Sequence, residues 1–420
     1  MRLSERLRPL RVRLLVLLAV VGPGIITANA DNDAGGITTY SVAGADYGYG
    51  LLWIMPFVAL ALVIVQEMSA RLGVVTGKGL SGLIRENMGV RAAAAILGIF
   101  LFANLANTIS EFAGVAASME IFGVSKYISV PIAAVGVWLL VVKGSYRFVE
   151  RIFLVASAIY LSYVISCVLA RPEWPAVFEA FVTPRFRFEV EYVTLAVTII
   201  GTTIAPWMQF YQQSAIADKG LKAADYAYER VDVVLGSIYG ALVAAFIVIA
   251  CAATLFANGV HVGTAADAAQ ALRPLAGPYA ATLFALGLLN ASIFSAAVLP
   301  LSTAYVVCEA FGWESGIDHK WKEAPVFFSL YTALIVVGAG IVLLPIRSLV
   351  EVMMASQTLN GVLLPIILIV MLSLVNNRQL MGRFANGRLS NILAYVIVAA
   401  LIALTGILLV TTVAPGFLGA

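Results

Sequence analysis

The chain has 420 residues, of which 61% are hydrophobic and only 12% charged, with a mean hydropathy of +0.97; soluble domains carry about 25% charged residues. That balance excludes a water-soluble globular protein. The formal net charge of +3 favours no partner, nucleic acid included, because in such a chain the position of each charge matters more than the sum.

Met1 to Arg13 is basic, and the apolar run behind it leads directly into Gly22–Gly36. We read it as a first membrane helix retained in the mature protein, not as a cleaved signal. Eleven apolar segments follow the span length a bilayer demands, near 14–45, 50–75, 91–121, 127–143, 148–170, 190–216, 231–257, 278–311, 324–345, 348–375 and 389–413. With the amino terminus in the cytoplasm, Lys126, Arg171, Arg185, Arg187, Arg273 and Arg347 face out, leaving the other twenty of 26 Lys and Arg inside. This bias places the carboxyl terminus outside and the chain in the cell inner (plasma) membrane. The loops at 171–189 and 258–277 read as short amphipathic caps. Cys167, Cys251 and Cys308 are scattered through apolar runs, which excludes a disulfide framework or a zinc site. No nucleophile constellation, metalloprotease motif or phosphate-cradling loop appears, so an enzyme is not expected.

The first span carries GPGIITANADNDAGG, which places Asp31, Asn32 and Asp33 at membrane depth and ends on Gly35-Gly36. An Asp at a helix centre costs roughly 2.5–3.5 kcal/mol on insertion scales. Adjacent glycines let the backbone leave helical geometry cheaply. A broken helix exposes carbonyls and amides, which a membrane tolerates only where they line a cavity or a site. The sixth span, TIIGTTIAPWMQFYQQSA, is interrupted at Pro206, which removes one N–H and clashes one turn back. Paired interruptions five spans apart are the signature of an inverted repeat with its substrate site at the midplane. The expected fold is therefore an all-α integral membrane protein of eleven helices, with broken helices 1 and 6. Residues 1–170 form one repeat, 190–375 the second, and 389–413 an additional helix.

GPGIITANADNDAGGITT, AGADYGYGLLW, SARLGVVTGKGL and, in the tenth span, SQTLNGVLLP resemble the NRAMP family of divalent metal transporters. The resemblance implies a leucine-transporter-like fold, alternating access, and inward movement of a divalent cation. The cation is cargo and not a cofactor. The family's metal-binding Asp corresponds to Asp33. Its proline becomes Ala34, its glycine is kept as Gly35, and its coordinating Asn becomes Gly36. The carbonyl-donating residue of the sixth helix corresponds to Thr202, the metal-binding Met to Ala205, and the first His to Trp207. The second His falls near Gln212 or Gln213, and the tenth-helix Gln matches Gln357. In ISEFAGVAAS, Glu111 is retained while the Glu used in proton transfer becomes Gly114.

A thioether selects soft transition metals, so Ala205 removes that preference, and Gly36 deletes one oxygen ligand. What remains is a hard oxygen site of Asp33, main-chain carbonyls, Thr202 and Gln357. Mg²⁺ keeps several waters and needs only one or two carboxylates, so the site suits partly hydrated Mg²⁺, with Mn²⁺ as a second substrate. The same substitutions resemble the NRAMP-related magnesium transporter branch. His261 and His319 lie in loops, so few groups remain for a proton relay beyond Glu111 and Glu67. Uncoupled uptake is expected. The alternatives are a proton-coupled Mn²⁺/Fe²⁺ transporter of the family's usual type and a sodium-coupled carrier of an organic substrate.

Asp31, Asn32, Glu111 and Trp207 are assigned to the ion pathway, with Asp31 and Asn32 either lining an outer vestibule or pairing with a neighbour. Trp207 and Met208 fill space, and Gln209, Gln212 and Gln213 line an inner aqueous path. Asn290, Ser292, Ser295, Ser302 and Thr303 read as interhelical hydrogen bonds rather than a sodium site. The partners are the cation and the lipid bilayer. The sequence sets no oligomeric state, and a monomer is compatible with it.

Overall fold

The computed structural model describes residues 31–143, 157–317 and 319–413. Among them there is no strand. The principal helices are α1 (Ala34–Tyr47), α2 (Ile54–Thr76), α3 (Leu80–Glu120), α4 (Lys126–Val142), α5 (Leu161–Leu169), α6 (Trp174–Val182), α7 (Val190–Thr203), α8 (Pro206–Asp218) and α9 (Tyr226–Thr254). They continue with α10 (Ala280–Phe311), α11 (Pro325–Leu343), α12 (Leu349–Val375) and α13 (Arg388–Val413). Eight stretches of these residues are long and apolar enough to cross a membrane, and α4 is a shorter apolar helix of 17 residues. The expected first and fifth spans fall partly outside the described residues.

Local chemistry explains the helix ends. Ser125 and Ser348 cap α4 and α12 by accepting from Tyr127 N and Glu351 N. Pro206 starts α8 at a position where a helix needs no N–H. The third span begins earlier than its hydropathy indicates, at Leu80 and not 91, with a kink at Gly89 (φ 83°). The lead-in is amphipathic: Leu80, Leu83 and Ile84 are buried while Arg85, Glu86 and Asn87 are exposed, so a bulk-apolar criterion passes over it. The two long loops hold short helices, α6 in one and Ala265–Ala269 with Arg273–Ala276 in the other.

Helix α3 is central to one half of the bundle, packing on α10, α12, α11 and α4. Helix α9 packs on α1 and α2, α8 on α2 and α10, and α7 on α12. Helix α13 lies outermost against α7 and α12 and turns Leu389, Ile392, Val396 and Val413 outward, as a lipid-facing helix does. The basic residues collect at one end. There Arg71 bonds Glu67, Phe384 O and Asn386 Oδ1 at 3.1, 3.1 and 2.5 Å, Tyr226 OH donates to Glu67, and Arg85 Nη1 donates to Ala310 O at 2.6 Å. Glu67 thereby joins α2 to α9. At the opposite end Lys126 Nζ donates to Val342 O and Leu344 O at 2.9 and 2.6 Å, and His261 meets Asp46 at 2.8 Å.

Candidate functional site

Both expected interruptions are present and lie side by side. Asp31 is helical, Asn32 bends, and Asp33 is extended (ψ −176°) before α1 begins at Ala34. Asp33 is the N-cap of α1, accepting from Gly36 N at 2.6 Å. In the sixth span α7 ends at Thr203, Ile204 and Ala205 are non-helical, and α8 starts at Pro206. The carbonyls freed by the breaks find partners. Asn32 O accepts from Tyr160 OH at 2.8 Å. With its amide nitrogen turned toward the break, Gln209 donates to Pro206 O and Ala205 O at 2.8 and 2.9 Å. Tyr40 OH and Thr203 Oγ1, at 2.8 Å, tie α1 to α7 just beside the site.

Oxygens converge where Gly36 has no side chain. A Cβ there would lie 3.0 Å from Asp31 O, 3.1 Å from Thr202 Oγ1 and 3.2 Å from Asp33 Oδ1. Thr202 is 1% exposed, and its hydroxyl lies within reach of the Tyr40 hydroxyl, which also pairs with Thr203. Asp31 Oδ1 is buried without a partner among the described residues. Gln357 Nε2 donates to both Asp33 oxygens at 3.3 and 3.2 Å, its side chain filling the space that Gly35 leaves empty. Glu111 is fully buried, accepts from Ala34 N at 3.3 Å, and lies within hydrogen-bonding reach of Asp33. Two carboxyl groups in contact in an apolar interior need a proton or a cation between them.

The structure therefore gathers Asp31, Asp33, Gly36, Thr202, Gln357 and Glu111. Asn32 contributes to this site through its backbone, and neither it nor Asp31 lines an exposed vestibule: they are 1% and 2% exposed. Ala205 lies in the second break and Trp207 in the first turn of α8; both are buried, with Trp207 packed on Tyr211 and Trp207 Nε1 unpartnered among the described residues. Gly114 has no room for the family's Glu, because a side chain there would run into Ala34 Cβ and Ser292 Oγ. The expected glutamine-lined aqueous path is also corrected. Gln209 turns back onto carbonyls at the start of its own helix, and Gln213 Nε2 donates to Lys78 O at 2.9 Å, while the Gln212 amide and Gln213 Oε1 are buried and unpartnered among the described residues. Thr303 is held by Asn104 Nδ2 at 2.8 Å and Ser292 by its own helix at Leu288 O, the interhelical and intrahelical roles ordinary for such residues. Sequence reasoning missed Asn107 and Asn360, which hydrogen-bond to each other beside Gln357; an Asn in an apolar helix was the available signal.

Residues 24–411 match the Nramp family model, described as natural resistance-associated macrophage protein-like. The divalent metal cation transporter MntH of Ralstonia nicotianae is 30% identical over 402 residues, covering 92% of this chain and 89% of its own. MntH of Bacillus subtilis is 27% identical over 408 residues, covering 94% and 93%. The manganese transporter of Eremococcus coleocola, in complex with an aromatic bis-isothiourea compound, superposes with a TM-score of 0.75 at 23% identity, covering 96% of this chain and 88% of that one. The nucleobase-cation-symport transporter MHP1 in a closed conformation gives 0.59 at 14% identity, covering 93% and 89%. The fold is thus the all-helical, leucine-transporter-like membrane fold.

Proposed function

The chain belongs to the Nramp, natural resistance-associated macrophage protein-like, family, and from that premise we propose that it carries divalent metal cations across the membrane through the site between the two breaks. It is a transporter and not an enzyme, and the metal is its cargo. The observation that carries this reading is the convergence of Asp33 Oδ1, Asp31 O and the Thr202 hydroxyl around Gly36, with Glu111 against Asp33. Two buried carboxyl groups with further oxygens beside them are costly unless a positive charge joins them. A cation among these oxygens does so. We assign Asp33 as the charged ligand, Asp31 O and Thr202 as neutral ones, and Gln357 as a ligand once its amide oxygen turns inward.

The finer reading is Mg²⁺, entering partly hydrated and without proton coupling. It is supported by an all-oxygen donor set, by Ala205 in place of a thioether, and by the open space at Gly36. Gly114 supplies no titratable group to continue a proton path from Glu111. Entry is then driven by the ion gradient and the membrane potential, roughly 2.3 kcal/mol per charge per 100 mV. Residues 1–170 and 190–375 act as inverted repeats that rock about this site, with the basic end and the amino terminus in the cytoplasm.

One observation favours a second reading, proton-coupled Mn²⁺ transport. Asp33 and Glu111 are in contact, an arrangement able to share a proton. Proteoliposomes carrying both a Mg²⁺-sensitive and a pH-sensitive dye separate the two. Saturable Mg²⁺ entry with a flat pH trace supports the first, and acidification that tracks Mn²⁺ entry supports the second.

A further inference from the structure

Gln357 is the first of three side-chain amides in a row. Its Oε1 accepts from Asn360 Nδ2 at 2.8 Å. Asn360 Nδ2 also donates to Asn107 Oδ1 at 2.9 Å, and Asn107 Nδ2 donates back to Asn360 Oδ1 at 3.1 Å. Asn360 lies one turn along α12 from Gln357, Asn107 is on α3, and all three are buried to 1% exposure or less. Every donor and acceptor in this row has one orientation. Asn360 holds the Gln357 oxygen, so the Gln357 nitrogen must face Asp33.

An amide N–H cannot ligate a cation; only its oxygen can. For Gln357 to serve the proposed site, its amide must turn over. If it turned alone, Gln357 Nε2 would face Asn360 Nδ2, two donors with no acceptor between them. If Asn360 and Asn107 turn with it, every hydrogen bond of the row re-forms with opposite polarity. Gln357 has little space to move aside, because its side chain sits in the gap left by Gly35.

We infer that Asn360 and Asn107 are positioning residues for cation binding: the three amides form a two-setting row, nitrogen toward Asp33 without cargo and oxygen toward the cation with it. Neither asparagine touches the ion. Asn360 orients the ligand, and Asn107 anchors that orientation on α3, so occupancy at α1 and α12 is felt by the helix on which α10, α11 and α4 pack. This inference rests on the cation reading of the site.

The test is a double-mutant cycle on the purified full-length protein, titrated with Mg²⁺ and, separately, with Mn²⁺ by calorimetry. Asn360→Leu removes one bond to Gln357 from each setting alike, so its cation binding should stay within about twofold of the unmodified protein. Asn360→Asp accepts from the turned Gln357 nitrogen but cannot donate to the Gln357 oxygen, so it favours the cation setting and should tighten binding about fivefold, the worth of one ordinary hydrogen bond. In a Gln357→Leu background, Asn360→Asp should lose most of that gain. An equal gain in both backgrounds would mean that the new carboxylate acts by its charge alone, and would overturn the inference. So would unchanged binding in Asn360→Asp, or in Gln357→Leu alone. Asp33→Ala is the separate control: if it binds as the unmodified protein does, the cation site itself is misplaced.

Discussion

Glu309 and Asp33 are both acidic residues held inside the helix bundle, and their surroundings differ in kind. Glu309, near the end of α10, caps the start of α3 by accepting from Gly79 N and from Ser81 Oγ at 2.6 Å, with Ser214 Oγ of α8 at 3.5 Å. Gly79 brings no side chain of its own to that helix end, so a carboxylate from another helix supplies the cap. Asp33 also caps a helix, yet it has Glu111 against it, the Thr202 hydroxyl and Asp31 O close by, and Gln357 at the long distances of 3.2 and 3.3 Å. One carboxylate is finished by the protein; the other leaves oxygen to spare. A buried acidic group surrounded by donors is architecture, and one surrounded by further acceptors is waiting for a cation or a proton.

The contrast can be broken most severely at Asp33. Asp33→Ala should abolish cation uptake in proteoliposomes, a loss of at least about 100-fold, while size-exclusion behaviour stays normal; undiminished uptake would remove the basis for treating the two acids differently. Next in size, Gly114→Glu forces a side chain against Ala34 and Ser292, and overpacking of this severity should cost about 3 kcal/mol, read as a lowered thermal midpoint and poor yield. If the variant is stable and gains proton-coupled uptake, α1 and α3 are less tightly joined than the structure shows.

Glu309→Ala strips the cap from α3 and leaves Gly79 N and Ser81 Oγ without their acceptor, a loss of about 2 kcal/mol in stability. Its cation affinity should stay within about twofold of the unmodified protein, and a large change in affinity would show that this carboxylate is not purely architectural. Thr202→Val keeps the shape and removes the hydroxyl; cation binding should weaken about three- to tenfold with the stability lowered by no more than about 1 kcal/mol. The smallest effect is expected from Gly36→Asn with Ala205→Met, which should shift competition toward Mn²⁺ only several-fold. The new Asn Cβ would meet three oxygens at 3.0–3.2 Å, so neighbours must give way before its amide can reach an ion. No shift at all would refute the hard-site account of Mg²⁺ preference.

Much of this was legible in the sequence because membrane chemistry makes certain residues conspicuous. Asp31, Asn32 and Asp33 inside an apolar run, ahead of paired glycines, announce a break, and Pro206 announces its counterpart. Gln357 could be matched by resemblance. Gly114 could be read as a missing proton group but not as a tight crossing, because the absence of a side chain says nothing of what stands nearby; Ala34 and Ser292 come from distant positions in the chain. The amphipathic start of α3 was invisible to a search for continuous apolarity. Glu309 sits at a helix end, where an acidic residue is ordinary, and only the fold brings Gly79 and Ser81 to it. Gln209 reads as a pore lining for the same reason: its partners are main-chain carbonyls at the start of α8, a helix end that exists only once the break has formed.

The reciprocal bonding of Asn107 and Asn360 has an evolutionary consequence. Replacing either one by an apolar residue strands polar atoms of the other in a dry interior, a cost that falls on the first substitution and is relieved by the second only so far as Gln357, whose oxygen Asn360 holds, is accommodated. The intermediate genotype is the unfit one, so a lineage crosses between two polar residues and two apolar ones by rare paired steps. Across relatives that keep this fold, the two positions should covary as a unit although 253 residues separate them in the chain.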